Sequence, residues 1–116
     1  MKLLGDGVLL VFESACTGVA VVVGIMDAMR ESGLPPAHAG INTGPIVERD
    51  GDVYGTTVNV ASRIAAYARP GVLLVSAPVV EACPGLEARF EPLGEMAVRG
   101  LDEAIALCRW VGSGST

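Results

Sequence analysis

From Ala15 to Glu31 the chain is apolar along most of its length, and the run stops at Ser32-Gly33-Leu34-Pro35-Pro36. A glycine followed by two prolines ends a helix. Val21-Val22-Val23 would also suit a strand, but the length of the run favours a buried helix. Val58, Ala61, Ala65 and Ala68 recur at helical spacing, which predicts a second helix with these residues facing the core. Thr56 or Thr57 is placed to cap it, and Arg69-Pro70-Gly71 closes it. The other apolar runs are short and bounded by turn residues, as strands are. Leu3 to Phe12 reads as strand, turn and strand about Asp6-Gly7. Ala37 to Val47 reads as one strand with an irregularity at Asn42-Thr43-Gly44-Pro45, and Asp50-Gly51 then turns the chain back towards Tyr54. Val72 to Ser76 is a short buried strand, Pro78 to Cys83 a short helix, and Phe90 to Val98 and Ala104 to Val111 two closing strands. The expected order is ββ-α-ββ-α-β-(α)-ββ, an α+β sheet with helices packed on one face. Residues 1–112 form one domain, and 113–116 a disordered tail.

Composition narrows the function. The 116 residues are 51% hydrophobic and 18% charged, so the chain has the means to build a core. A net charge of −5, with Lys and Arg scattered singly, argues against a nucleic-acid binder. The longest apolar run, Val19 to Met26, falls short of a membrane span, so no membrane contact is expected from this segment. The N-terminus has no signal-peptide pattern. Cys16, Cys83 and Cys108 are far apart and form no metal-binding or disulfide pattern, which fits a reduced, cytoplasmic setting.

The chemistry concentrates between Asp52 and Arg63. Asn59 and Arg63 are four residues apart near the start of the second helix and share one face. An amide and a guanidinium there suit an anionic, oxygen-rich ligand, although an ordinary solvated helix face would look the same. Asp52 and Asp6 are explicable as turn residues, and Asp6 equally as a hard oxygen donor for magnesium. Lys2 reads as a terminal charge and Arg99 as a phosphate binder or a turn residue. His38, alone of its kind, reads as structural. Ser14, Ser62 and Ser76 lack a nucleophile signature, and neither a P-loop nor a GxGxxG occurs.

Taken in order, the segments Lys2-Leu3-Leu4-Gly5-Asp6-Gly7-Val8-Leu9-Leu10-Val11-Phe12, Ala39-Gly40-Ile41-Asn42-Thr43-Gly44-Pro45 and Asp52-Val53-Tyr54-Gly55-Thr56-Thr57-Val58-Asn59-Val60-Ala61-Ser62-Arg63 resemble the catalytic domain of class III adenylyl and guanylyl cyclases. Ala68-Arg69-Pro70-Gly71, Phe90-Glu91-Pro92-Leu93-Gly94 and Val98-Arg99-Gly100-Leu101 extend the match over nearly the whole chain. The resemblance implies a ferredoxin-like nucleotide cyclase fold and the conversion of ATP to cyclic AMP and pyrophosphate. It implies that Lys2 and Asp52 read the adenine edge, Asn59 positions the ribose, and Arg63 stabilises charge on the phosphate in the transition state. Arg99 stands where the family usually has a lysine for the terminal phosphates, and Asp6 matches the second of two aspartates that hold magnesium or manganese.

The family's opening strand, F-x-D-I-x-G, supplies the first metal aspartate and is followed by two helices and a strand; this sequence contains no such motif. The expectation is therefore a truncated domain lacking its first strand and first helices. It would pair as a homodimer with little or no activity, or as a heterodimer in which it complements an intact cyclase domain. A non-catalytic nucleotide-binding or dimerisation module, or a fragment of a complete cyclase, is the alternative.

Overall fold

The computed structural model describes residues 2–4 by their backbone, and residues 7–97 and 103–112. The elements that carry the site are the central sheet and the helix between two of its strands.

The first helix, α1 (Ala15–Glu31), begins at Ser14, whose Oγ accepts the Thr17 amide at 3.3 Å. It ends at Ser32, where Gly33 takes φ 74° and the Leu34 amide returns to the Met29 carbonyl at 3.0 Å. A helical hydrogen-bond ladder thus absorbs the valine run that also suited a strand. Ahead of it, β1 (Lys2–Leu4) and β2 (Gly7–Leu9) form the expected antiparallel hairpin, with Lys2 opposite Leu9. The tip of its turn at Asp6 lies outside the described residues.

The sequence reading of one strand from Ala37 to Val47 is corrected. The chain forms β3 (Ala39–Ile41), breaks at Asn42-Thr43-Gly44-Pro45, and resumes as β4 (Val47–Arg49) in a different sheet. The break has a physical cause: Gly44 takes φ 149°, and a Cβ there would lie 2.8 Å from Thr57 Oγ1. A two-stranded arm follows, β4 with β5 (Asp52–Tyr54). Its turn residues Asp50 and Gly51 take φ 54° and 79°, the double positive φ of a tight hairpin.

Helix α2 (Thr56–Tyr67) starts at Gly55, φ 122°, with no side-chain cap. The expected Thr56 or Thr57 cap is thus replaced by a backbone conformation open to glycine. The predicted inward face is also shifted: Val60, Ile64 and Ala68 are buried, while Ala61 and Ala65 are half-buried against β3. At Gly40 of β3 the two elements touch backbone to backbone. A Cβ there would stand 2.8 Å from both the Ala61 carbonyl oxygen and Ala65 Cα, and against the Ala65 amide nitrogen.

After α2 come β6 (Leu73–Ser76), α3 (Ala77–Glu81), a short 3-10 turn (Glu87–Arg89), β7 (Phe90–Met96) and β8 (Ile105–Trp110). The main sheet runs β3-β6-β8-β7, with β3 and β6 parallel and the other pairs antiparallel. β7 is an edge strand, where Pro92 without an amide hydrogen and a bulge before Gly94 are tolerated. The expectation that helices pack on one face is corrected by β6, which is buried on both. Leu73 and Val75 pack with Val19 of α1 and Val79 of α3; Leu74, pointing the other way, packs with Val60 and Ile64 of α2 and with Leu107. Among the described residues no helix is long and apolar enough to cross a membrane. Val98 and the tail 113–116 lie outside the described residues.

Candidate functional site

Asn59 and Arg63 lie one turn apart on α2, on a stripe that flanks the buried Val60 and Ile64. Both are exposed, and among the described residues neither side chain has a hydrogen-bond or ion-pair partner. Holding an amide and a guanidinium free of the protein leaves five guanidinium donors and both amide functions for a ligand. The helix that carries them is fixed from beneath at three places. Gly40 admits the backbone of Ala61 and Ala65. His38 Nδ1–H donates to the Ala65 carbonyl at 2.8 Å, which sets the proton on that nitrogen because a carbonyl only accepts. At the other end, Asn42 Nδ2 donates to the Thr57 carbonyl at 3.2 Å, and its Oδ1 accepts from Ser76 Oγ at 2.7 Å. Ser76 is 2% exposed, so this bond is sheltered from water.

Asp52 opens β5, opposite Arg49, a few residues ahead of the helix start at Gly55. It is half-buried, and Oδ1 accepts the amide of Val53 at 2.9 Å, so the carboxylate is held by its own strand. β5 packs against α2, the helix that carries Asn59 and Arg63. Asp52, Asn59 and Arg63 are therefore gathered by one continuous hairpin-to-helix segment. Of the other expected residues, Lys2 is placed by its backbone in β1, and Asp6 and Arg99 lie outside the described residues. Among the described residues no three His, Cys, Asp or Glu side chains cluster to hold a metal ion. A groove of about 250 Å³ lined by Met26, Leu34 and Pro36 lies at the end of α1, among residues other than those of the candidate site.

The Asn42–Ser76 pair was not singled out from the sequence as a support, because its two members belong to strands far apart in the chain. The irregularity at residues 42–45 was the available signal.

A family model described as the adenylate and guanylate cyclase catalytic domain matches residues 36–109, a range that includes Asp52, Asn59, Arg63 and Arg99 but neither Lys2 nor Asp6. A pH-sensitive adenylate cyclase of Mycobacterium tuberculosis is 37% identical over 83 residues, 71% of this chain and 21% of that protein. An adenylate cyclase of Streptomyces coelicolor is 34% identical over 98 residues, 84% of this chain and 25% of that protein. The chain thus spans a fifth to a quarter of the length of these relatives. Among solved structures, an adenylate/guanylate cyclase/hydrolase from Silicibacter pomeroyi superposes with a TM-score of 0.82 at 35% identity, covering 95% of this chain and 69% of the other.

Proposed function

The chain belongs to the adenylate and guanylate cyclase catalytic domain family, and from that premise we propose that it supplies the nucleotide-reading side of an adenylyl-cyclase-type site. The observation that carries the proposal is the exposed Asn59/Arg63 face of α2, directly preceded by the strand that holds Asp52. In this reading Asp52 accepts the exocyclic amine of adenine, with Lys2 as the donor to a ring nitrogen. Asn59 orients the ribose so that its 3′-hydroxyl faces the α-phosphate. The Arg63 guanidinium stabilises the negative charge that grows on the phosphate as the ring closes and pyrophosphate leaves. Arg99 holds the terminal phosphates.

A divalent cation would supply activation of the hydroxyl and neutralisation of the triphosphate. The described residues do not assemble a site for it, and Asp6 offers a single carboxylate. The chain alone is therefore proposed to bind ATP without appreciable turnover. A second cyclase domain, packed against the Asn59/Arg63 face, would bring the further ligands that, with Asp6, would hold magnesium or manganese. The adenine preference rests on Asp52 and Lys2, and agrees with the adenylate cyclases among the relatives.

Titration with a non-hydrolysable ATP analogue tests this. Asn59→Ala and Arg63→Ala should each weaken binding at least about tenfold, a loss of about 1.4 kcal/mol, and the GTP counterpart should bind more weakly. Binding that ignores both substitutions would overturn the assignment. Mixing the chain with a cyclase disabled only at its matching Asn/Arg pair should restore cyclic AMP synthesis. Demonstrated heterodimers without recovery would reject the complementing role.

A further inference from the structure

Tyr67 is the last residue of α2, and it stands four residues beyond Arg63 as Arg63 stands four beyond Asn59. The three share one exposed stripe, beside the buried Val60, Ile64 and Ala68. The Tyr67 hydroxyl donates to the carbonyl of Ala97 at 2.9 Å, across a separation of 30 residues. Ala97 is the first residue after β7. The same place is held by packing. Met96 ends β7 and Ile105 begins β8; the two are opposite each other in register, and both pack against the cluster of Val60, Ile64 and Ala68. The stems of the β7–β8 connection are thus seated on α2, and the phenol fixes the point where the chain leaves β7 to the stripe that bears Arg63.

We propose that Tyr67 is a positioning residue for the phosphate end of the site: by holding Ala97 it sets where the chain departs towards Arg99. Arg99 follows Ala97 by two residues. Two residues of chain span at most about 7 Å, so anchoring Ala97 to α2 limits how far the backbone of Arg99 can stray from that helix. The inference rests on the nucleotide-reading assignment above, and adds to it the device that sets the spacing of two guanidiniums. A triphosphate carries charge at both ends, and two cations left to find it independently would each lose freedom on binding. Fixing the departure point of one against the helix of the other removes part of that cost beforehand.

Tyrosine suits the task because it carries a donor at the tip of a rigid ring with two side-chain torsions. The ring is 41% exposed, so water can reach the hydroxyl and would satisfy the Ala97 carbonyl in its place. Loss of the bond therefore leaves no buried polar group without a partner, and its contribution is direction more than stability.

Tyr67→Phe removes one oxygen and keeps the ring. The melting temperature should stay nearly unchanged, and binding of a non-hydrolysable ATP analogue should weaken about three- to tenfold. Binding of AMP, which lacks the terminal phosphates, should not change. In an Arg99→Ala background the same substitution should have no further effect, because the phenol acts through that arginine. A second measurement needs no nucleotide. Brief trypsin treatment should cut after Arg99 several-fold faster in Tyr67→Phe than in wild type, with cleavage after Arg49 on the β4–β5 arm unchanged. Undiminished binding of the ATP analogue, an equal loss for AMP, additive losses in the double variant, or unchanged cleavage after Arg99 would each overturn the proposal. If Arg63→Ala and Arg99→Ala both left binding of the ATP analogue intact, the nucleotide site itself would fall, and the positioning role with it.

Discussion

Ser76 Oγ donates to Asn42 Oδ1 at 2.7 Å, joining the end of β6 to the end of β3, and Asn42 extends the link through Nδ2 to the Thr57 carbonyl of α2. The first turn of the helix that presents Asn59 and Arg63 is thereby tied to two strands of the sheet. Ser76→Ala removes the donor and strands the Asn42 oxygen in a part-buried place. It should cost about 1–2 kcal/mol in urea unfolding. The affinity for an ATP analogue should fall as well, whereas Ser62→Ala, on the exposed side of the same helix, should change neither.

Gly40→Ala puts a methyl group into the backbone of Ala61 and Ala65, with no flexible side-chain end to move aside. The helix must back away from the sheet, which should destabilise the fold by about 1–3 kcal/mol or more. A lower urea midpoint with an unchanged m-value would identify this as strain in the native state.

Stability should depend on alkaline pH through the buried thiols. An unperturbed cysteine titrates near 9.0, whereas Cys83 in the fold is raised to about 12, so the folded state keeps a proton that the unfolded chain gives up. Its contribution is complete below pH 9.0 and is lost progressively as pH rises towards about 12, by at most about 1.4 kcal/mol per pH unit. Cys108, also raised by burial, acts with the same sign. Urea midpoints measured under reductant across this range should fall, and Cys83→Ala should flatten the slope whatever it does to the baseline.

Arg63→Lys should separate charge from shape. Lysine keeps the positive charge but loses the planar fork that grips two oxygens at once. Nucleotide-analogue binding should fall to between wild type and Arg63→Ala. Equality with wild type would mean that the site reads charge alone.

The sequence was legible where a local rule was unopposed. Asp50-Gly51 made its hairpin, the run before Gly33 made α1, and Asn59 and Arg63 came out on one exposed helix face because their spacing alone sets that. It was illegible where distant chain segments decided the outcome. Helical spacing predicts a core face of Val58, Ala61, Ala65 and Ala68 on α2; Ala68 is buried as expected, but Gly40 draws Ala61 and Ala65 onto β3 and leaves Val60 and Ile64 to fill the core. The strand expected from Ala37 to Val47 breaks at Gly44, which takes φ 149° and lies so close to Thr57 of α2 that only glycine fits there. The covering of β6 on both faces likewise depends on which helices reach it, a fact that no window of a few residues contains.

Helices usually rest on their neighbours through interdigitated side chains, with axes 8–10 Å or so apart, and such a layer yields to small shifts by changing rotamers. At Gly40 that cushion is missing, and strand meets helix as two stiff rods in contact. β3 ends the main sheet, so its outer edge is open among the described residues. A push or a pairing along that edge would reach α2 with little to absorb it, and the exposed guanidinium and amide would travel with the helix as the tip of a lever.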